Sequence, residues 1–153
     1  MKIIFLDIDG VLNSIAYERE KAPEQSFIDE SRLPLVAQIV RKTGAAIVLS
    51  STWRIYWKED ISECNNIGRE LHSNFDKYHL DIYDTTGSEK QMRPNEIKSW
   101  LESHADIVSN YVILDDTFAG WSDMAEHLVK TDYRIGRGLE EVHVRRAIEI
   151  LNN

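Results

Sequence analysis

Two aspartates, Asp7 and Asp9, stand two positions apart in the opening stretch MKIIFLDIDGVLN. The apolar run before them, Ile3 to Leu6, reads as a strand buried on both faces of a parallel sheet. Such a strand leaves only its carboxyl end open to solvent, which is where open α/β sheets hold their ligands. Residues two apart on a strand leave it on the same side. Two carboxylates about 4–6 Å apart repel by a few kcal/mol at an effective dielectric of about 20. A cation, a shared proton or a basic neighbour must compensate, and Mg²⁺, a hard ion that takes oxygen ligands, is the simplest answer. Other apolar runs end in groups of the same kind: Ala45 to Leu49 leads into Ser50 and Ser51, and Tyr111 to Leu114 into Asp115 and Asp116. Arg93 stands at a predicted helix start just before the latter. Hydroxyls, a guanidinium and two acidic pairs at separate strand ends are able to handle phosphate and metal. Each piece alone has an ordinary reading as a turn, a helix cap or a surface charge; their order and placement carry the chemical one.

The elements that must position these groups follow from periodicity. Asn13 to Asp29 are polar without a clear period and read as a loop with at most a helical turn. A helix follows, with Ser31 as its cap, Pro34 in its first turn, Leu35, Val36, Ile39 and Val40 at helical spacing, and Gly44 as its stop. Ile61 to Phe75 read as a second helix, with Cys64 on the side of Ile67, Leu71 and Phe75. Leu80 to Tyr83 form a short strand, and a polar loop runs from Ser88 to Met92. Pro94 starts a helix whose inward face is Ile97, Trp100 and Leu101. Leu128 and Val129 make a brief fifth strand. A closing helix after Gly138 turns Leu139, Val142, Ala147, Ile148 and Leu151 inward. The order βαβαβαβ, with a late strand and helix, predicts a doubly wound, three-layer parallel α/β sheet.

At 153 residues the chain is long enough for one domain, 1–153, with a real core. A net charge of −8 argues against broad non-specific binding to nucleic acid, though a local basic patch is compatible with it. The single cysteine, Cys64, excludes an intramolecular disulfide and fits a reducing cytoplasm. The apolar run after Lys2 is too short for a signal peptide, and nothing approaches membrane-spanning length. No sequence feature sets an oligomeric state.

DIDGVLN resembles the DxDGT/V signature of the haloacid dehalogenase-like (HAD) phosphohydrolases, a superfamily with a Rossmann-like sheet. The resemblance covers nearly the whole chain. In that family the first Asp is the nucleophile and the second the general acid/base, and Asp7 and Asp9 match those positions. AAIVLSS is similar to the second motif, whose Ser or Thr binds the phosphoryl group; Ser50 matches best, with Ser51 close behind. The third motif, a Lys or sometimes an Arg at a helix start, is matched by Arg93, with Lys90 competing. YVILDD matches the acidic pair that holds Mg²⁺, through Asp115 and Asp116. The resemblance implies a metal site of Asp7, Asp115 and Asp116, with Asp9 adding its backbone carbonyl. It assigns Ser50 and Arg93 to the phosphoryl group rather than to the metal. The combination of LSSTWR, RPNEIKSWL and LDD also resembles the small HAD domains of bacterial "Swiss army knife" RNA-repair proteins.

An aspartate nucleophile divides a phosphate-monoester hydrolysis into two steps through an aspartyl-phosphate. The second Asp is what dehalogenases of the superfamily lack, so Asp9 favours phosphoryl over halide chemistry. No stretch is long enough for a large cap domain. An open site suits a substrate with an exposed phosphate end, a polynucleotide or a phosphoprotein, with Trp53, Trp57 and Arg54 as stacking or phosphate contacts and Tyr17, Glu18, Arg19 and Phe27 on a bordering flap. A small nucleotide or sugar phosphate is the alternative. A receiver domain also uses an acidic pair, Mg²⁺ and a phospho-aspartate, but its pair follows the first strand rather than the fourth. A non-catalytic scaffold on the same fold would have no need of both Asp7 and Asp9.

Overall fold

The computed structural model describes residues 1–87, 92–117 and 119–153. Five parallel strands lie in the order β3-β2-β1-β4-β5. They are β1 (Lys2–Leu6), β2 (Ala46–Leu49), β3 (Ile82–Thr85), β4 (Asn110–Asp115) and β5 (Leu128–Lys130). The helices are α1 (Ile15–Glu20), α2 (Leu33–Thr43), α3 (Asn66–Lys77), α4 (Arg93–Ser103) and α5 (Glu141–Asn152). This is the doubly wound sheet that the alternation of elements predicts.

Strand alternation divides the core. Ile4 and Leu6 of β1 pack with Leu33, Val36 and Ile39 of α2, Leu71 and Phe75 of α3, and Val144, Ala147 and Leu151 of α5. Ile3 and Phe5 face the other way, onto Ile97 and Trp100 of α4 and onto Trp121 and Met124. Phe5 meets Trp100 edge to face at 5.4 Å between ring centroids. Each fully buried aliphatic or aromatic side chain contributes about 1.5–3 kcal/mol of transfer free energy, and β1 supplies four in a row. Crossovers between parallel strands are right-handed. Reversing the direction of strand addition after β3 therefore moves the connecting helix, α4, to the opposite face. The reversal leaves β1 and β4 adjacent at the switch point, with Leu6 opposite Leu114.

Four local readings change. The polar segment after Asn13 contains α1, capped by Ser14 Oγ accepting from Tyr17 N. The helix predicted over Ile61 to Phe75 is broken: a short 3-10 turn, Ile61–Glu63, ends at extended Cys64, and Asn65 restarts the chain as α3 by capping Gly68 N at 2.9 Å. Leu80 closes α3, donating its N–H to Phe75 O, so β3 begins only at Ile82. In α5, Val142 is 57% exposed and the inward face is Val144, Ala147, Ile150 and Leu151. Leu139 is buried ahead of the helix, its N–H given to Val11 O, and so does not set the helical phase. Lys90 and the predicted loop before Met92 lie outside the described residues. Among the described residues no separate folded unit stands over the strand ends, and no helix is long and apolar enough to cross a membrane.

Candidate active site

The site gathers at the carboxyl ends of β1, β2 and β4, on the face that α4 covers. Strand alternation sets this. Asp7 follows Ile3 and Phe5, Asp115 follows Ile113, and Ser50 follows Ala46 and Val48, all residues of the α4-side core. The N–H of Asp7 donates to Leu114 O at 3.0 Å and that of Ser50 to Leu6 O at 3.0 Å, so both continue the sheet ladder.

Asp7 is 2% exposed and Asp115 fully buried. Asp7 Oδ1 accepts from Ile8 N at 2.8 Å. Asp115 Oδ1 accepts from Thr117 N at 2.8 Å and from Thr117 Oγ1 at 2.6 Å. The other oxygens of both, Oδ2, take one nitrogen of Arg93, the first residue of α4. Oxygens of Asp7, Asp115 and Asp116 lie within 4.8 Å of one another. Burial pushes the Asp7 carboxyl up to about 7; the Arg93 charge opposes this, the Asp115 charge adds to it, and the Ser51 hydroxyl and Ile8 N–H oppose it. Asp116 is also raised, by burial first and then by Asp115. Arg93 is held in its charged form by Asp7 and Asp115, against its own burial. Three hard oxygen donors at a partly dehydrated point, two of them held against protonation only with help, fit a divalent cation.

Gly10 makes room for this cluster. Its φ is +80°, and a Cβ there would stand 2.4 Å from Asp116 Cγ. The turn that follows β1 also separates the two aspartates of the first motif. The strand ends at Leu6, and Ile8 O accepts from Val11 N and Leu12 N in a tight turn. Asp9 is therefore exposed rather than beside Asp7 on a strand face. Its Oδ1 accepts from Asn13 Nδ2 at 2.8 Å and its Oδ2 from Trp53 Nε1 at 3.0 Å.

The two serines are distinguished by their surroundings. Ser51 Oγ accepts from Trp53 N at 3.3 Å, and its hydroxyl opposes the upward shift of the Asp7 carboxyl. Ser50 Oγ is buried and has no hydrogen-bond partner among the described residues, as is also true of Thr86 Oγ1 at the end of β3. Arg54, read from sequence as a phosphate contact, is buried and donates instead to Ser51 O at 2.9 Å and to Glu96 Oε1 at 2.8 Å, tying the turn after β2 to α4. Trp57 stacks on His72 at 3.9 Å, on the α3 side. In the flap, Tyr17 donates to Ser26 O and Ile28 O, while Phe27 is exposed. Asn13, Thr117 and Tyr133 carry no site assignment from the sequence, and Glu96 enters there only within the RPNEIKSWL resemblance. Tyr133 feels the charges of Asp9 and Asp116 and donates to Glu18 at 3.0 Å. Only Asn13 carries a local signal, as an amide four residues past Asp9 in a Gly turn.

Residues 3–144 match the family model described as the HAD domain in Swiss Army Knife RNA repair proteins. No curated protein and no solved structure matches the chain.

Proposed function

We propose that this chain, which belongs to the family of HAD domains in Swiss Army Knife RNA repair proteins, is a metal-dependent phosphomonoester hydrolase. The observation that supports this best is the buried Asp7, set at the switch point between Arg93 and Asp115 and within 4.8 Å of the Asp115–Asp116 pair. In this reading the Asp7 carboxylate attacks phosphorus, the bond to the leaving oxygen breaks, and that oxygen takes a proton from Asp9. A water then attacks the aspartyl-phosphate, giving its proton to Asp9, and the phosphorus–Asp7 bond breaks to release phosphate. Asp7, Asp115 and Asp116, with the backbone carbonyl of Asp9, would hold Mg²⁺, which when bound would supply the positive charge that lets a carboxylate approach a phosphate dianion. Arg93, Ser51 and the Ser50 hydroxyl, which has no partner among the described residues, supply donors for the phosphoryl oxygens.

The substrate this reading favours is a polynucleotide with a terminal phosphate. The family's description places its members in RNA repair proteins. Among the described residues nothing folds over the site, so a bulky end has access. A second reading, a small nucleotide or sugar phosphate, is favoured by one observation, the net charge of −8, which opposes a polyanion. Release of phosphate from end-phosphorylated oligonucleotides, nucleotides and sugar phosphates, compared by kcat/KM, separates the two. Asp7→Asn is expected to abolish turnover with the fold retained. A folded Asp7→Asn variant with near wild-type rate would remove the nucleophile assignment, and the proposal with it.

A further inference from the structure

We infer that Trp53 and Asn13 are positioning residues for Asp9. Their N–H groups hold its carboxylate at the mouth of the site, where it can serve the leaving oxygen, and keep it out of the Asp7–Asp115–Asp116 cluster. The inference rests on the proposed role of Asp9 as the proton-transfer group.

Asp9 is exposed, and an exposed aspartate ordinarily samples several rotamers in water. Here each oxygen has its own donor, Asn13 Nδ2 at 2.8 Å and Trp53 Nε1 at 3.0 Å. The indole N–H can only donate, so it recognises the carboxylate as an acceptor. The orientation of Asn13 is set by a second bond: its Oδ1 accepts from Gly10 N at 2.8 Å, which turns the NH₂ group toward Asp9. Asn13 is itself fully buried, so this donor is fixed by the turn.

Trp53 reaches Asp9 from a different segment, the turn after β2. Its ring packs against the larger core cluster, and its backbone N–H is capped by Ser51 Oγ. Ser51 also serves the Asp7 carboxylate. The same short turn thus carries both Ser51, whose hydroxyl acts on the Asp7 carboxyl, and, two residues on, the indole that holds Asp9. Rotation of Asp9 into the cluster would add a fourth carboxylate there and withdraw the proton donor from the leaving oxygen. Positioning of this kind acts on rate by restricting a reacting group to its working geometry.

The test uses leaving groups. A p-nitrophenolate leaves without a proton, whereas an alkoxide, such as the end of a 3′-phosphorylated oligonucleotide, needs one. Release of the leaving group in the first turnover isolates the step. Trp53→Phe is expected to slow the oligonucleotide at least about tenfold more than p-nitrophenyl phosphate, a fraction of the roughly 10²–10⁴ that general acid–base catalysis supplies. In an Asp9→Asn background the same substitution should add nothing, since it acts through Asp9. Equal slowing of both substrates, or an additive effect on Asp9→Asn, overturns the inference while leaving the role of Asp9 intact. If Asp9→Asn itself shows no leaving-group dependence, the proposed role of Asp9 falls, and the inference with it. Thermal unfolding checks that Trp53→Phe folds. Asn13→Asp, which keeps the acceptor for Gly10 and removes the donor to Asp9, repeats the test from the other oxygen.

Discussion

Arg93 Nη1 donates to Asp115 Oδ2 at 2.7 Å across 22 residues of sequence, and the same nitrogen donates to Asp7. The guanidinium assigned from sequence to the phosphoryl group therefore also rests on two carboxylates of the metal-type cluster. Removing it takes a positive charge from beside them. A unit charge at about 4 Å is worth about 4 kcal/mol at an effective dielectric of 20, and a tenfold change in affinity needs only about 1.4 kcal/mol. Arg93→Ala is expected to bind Mg²⁺ about tenfold more tightly without substrate, while losing turnover because the phosphoryl group loses its donor. Calorimetric titration of the two proteins with Mg²⁺ checks this; an unchanged or weakened affinity would refute it.

The raised carboxyl of Asp7 gives a pH dependence of stability. Its value moves from 3.8 to about 7 on folding, chiefly through burial, so the metal-free folded state binds this proton more tightly than the unfolded chain. The stability it contributes is complete below about pH 3.8 and is lost as pH rises through about 7. Asp7→Asn removes the ionisation. In chelator, the melting temperature of the variant relative to wild type should therefore climb between pH 4 and 7. A difference that stays flat across that range would contradict the shift.

Much of this site is legible in the sequence because its carriers are unbroken apolar runs. IIFL before Asp7, AIVL before Ser50 and YVIL before Asp115 read as buried strands and are strands, and each delivers its polar residue to the same sheet end. Pro94 marks the start of α4 and so the place of Arg93. The roles of Trp53 and Arg54 are not legible, since their partners Asp9 and Glu96 lie 44 and 42 residues away. The separation of Asp9 from Asp7 was missed for a different reason. Period two holds only while the chain is extended, and the chain turns at Ile8, directly after Asp7. Helix phase failed where side-chain caps intervened, at Asn65, and where Leu139 was spent on a backbone contact with Val11.

The Arg54–Glu96 pair sets the distance between the turn that carries Ser51 and the helix that carries Arg93. Both side chains are almost wholly buried, and the N–O separation is 2.8 Å. Taking away one partner of a buried pair costs about 3–5 kcal/mol, because the attraction across it is lost where solvent screens little. Arg54→Ala should lose about that much stability in chemical denaturation, with an apolar double replacement, Arg54→Met with Glu96→Leu, recovering part of it. A loss under about 1 kcal/mol, the range of a surface pair, would mean that solvent reaches the site.

Gly10 offers a way to perturb the cluster without touching a carboxylate. Its positive φ of 80° disfavours any other residue, and its carbonyl is held by Thr131 Oγ1 at 2.6 Å, so the turn has little freedom to move away. A Cβ would stand 2.4 Å from Asp116 Cγ and 2.5 Å from its Oδ2. Asp116, half-buried and at the edge of the cluster, is the softer side of that contact. Gly10→Ala is expected to cost about 1–2 kcal/mol in stability from the left-handed backbone, and to displace Asp116 from the other two carboxylates. The Mg²⁺ affinity should then fall roughly tenfold, about 1.4 kcal/mol, to that of Asp116→Ala. The double variant should bind no more weakly than either single one, since both remove the same oxygen. Titration of the three proteins decides the matter: additive losses would show that Gly10 acts on the site by some route other than Asp116.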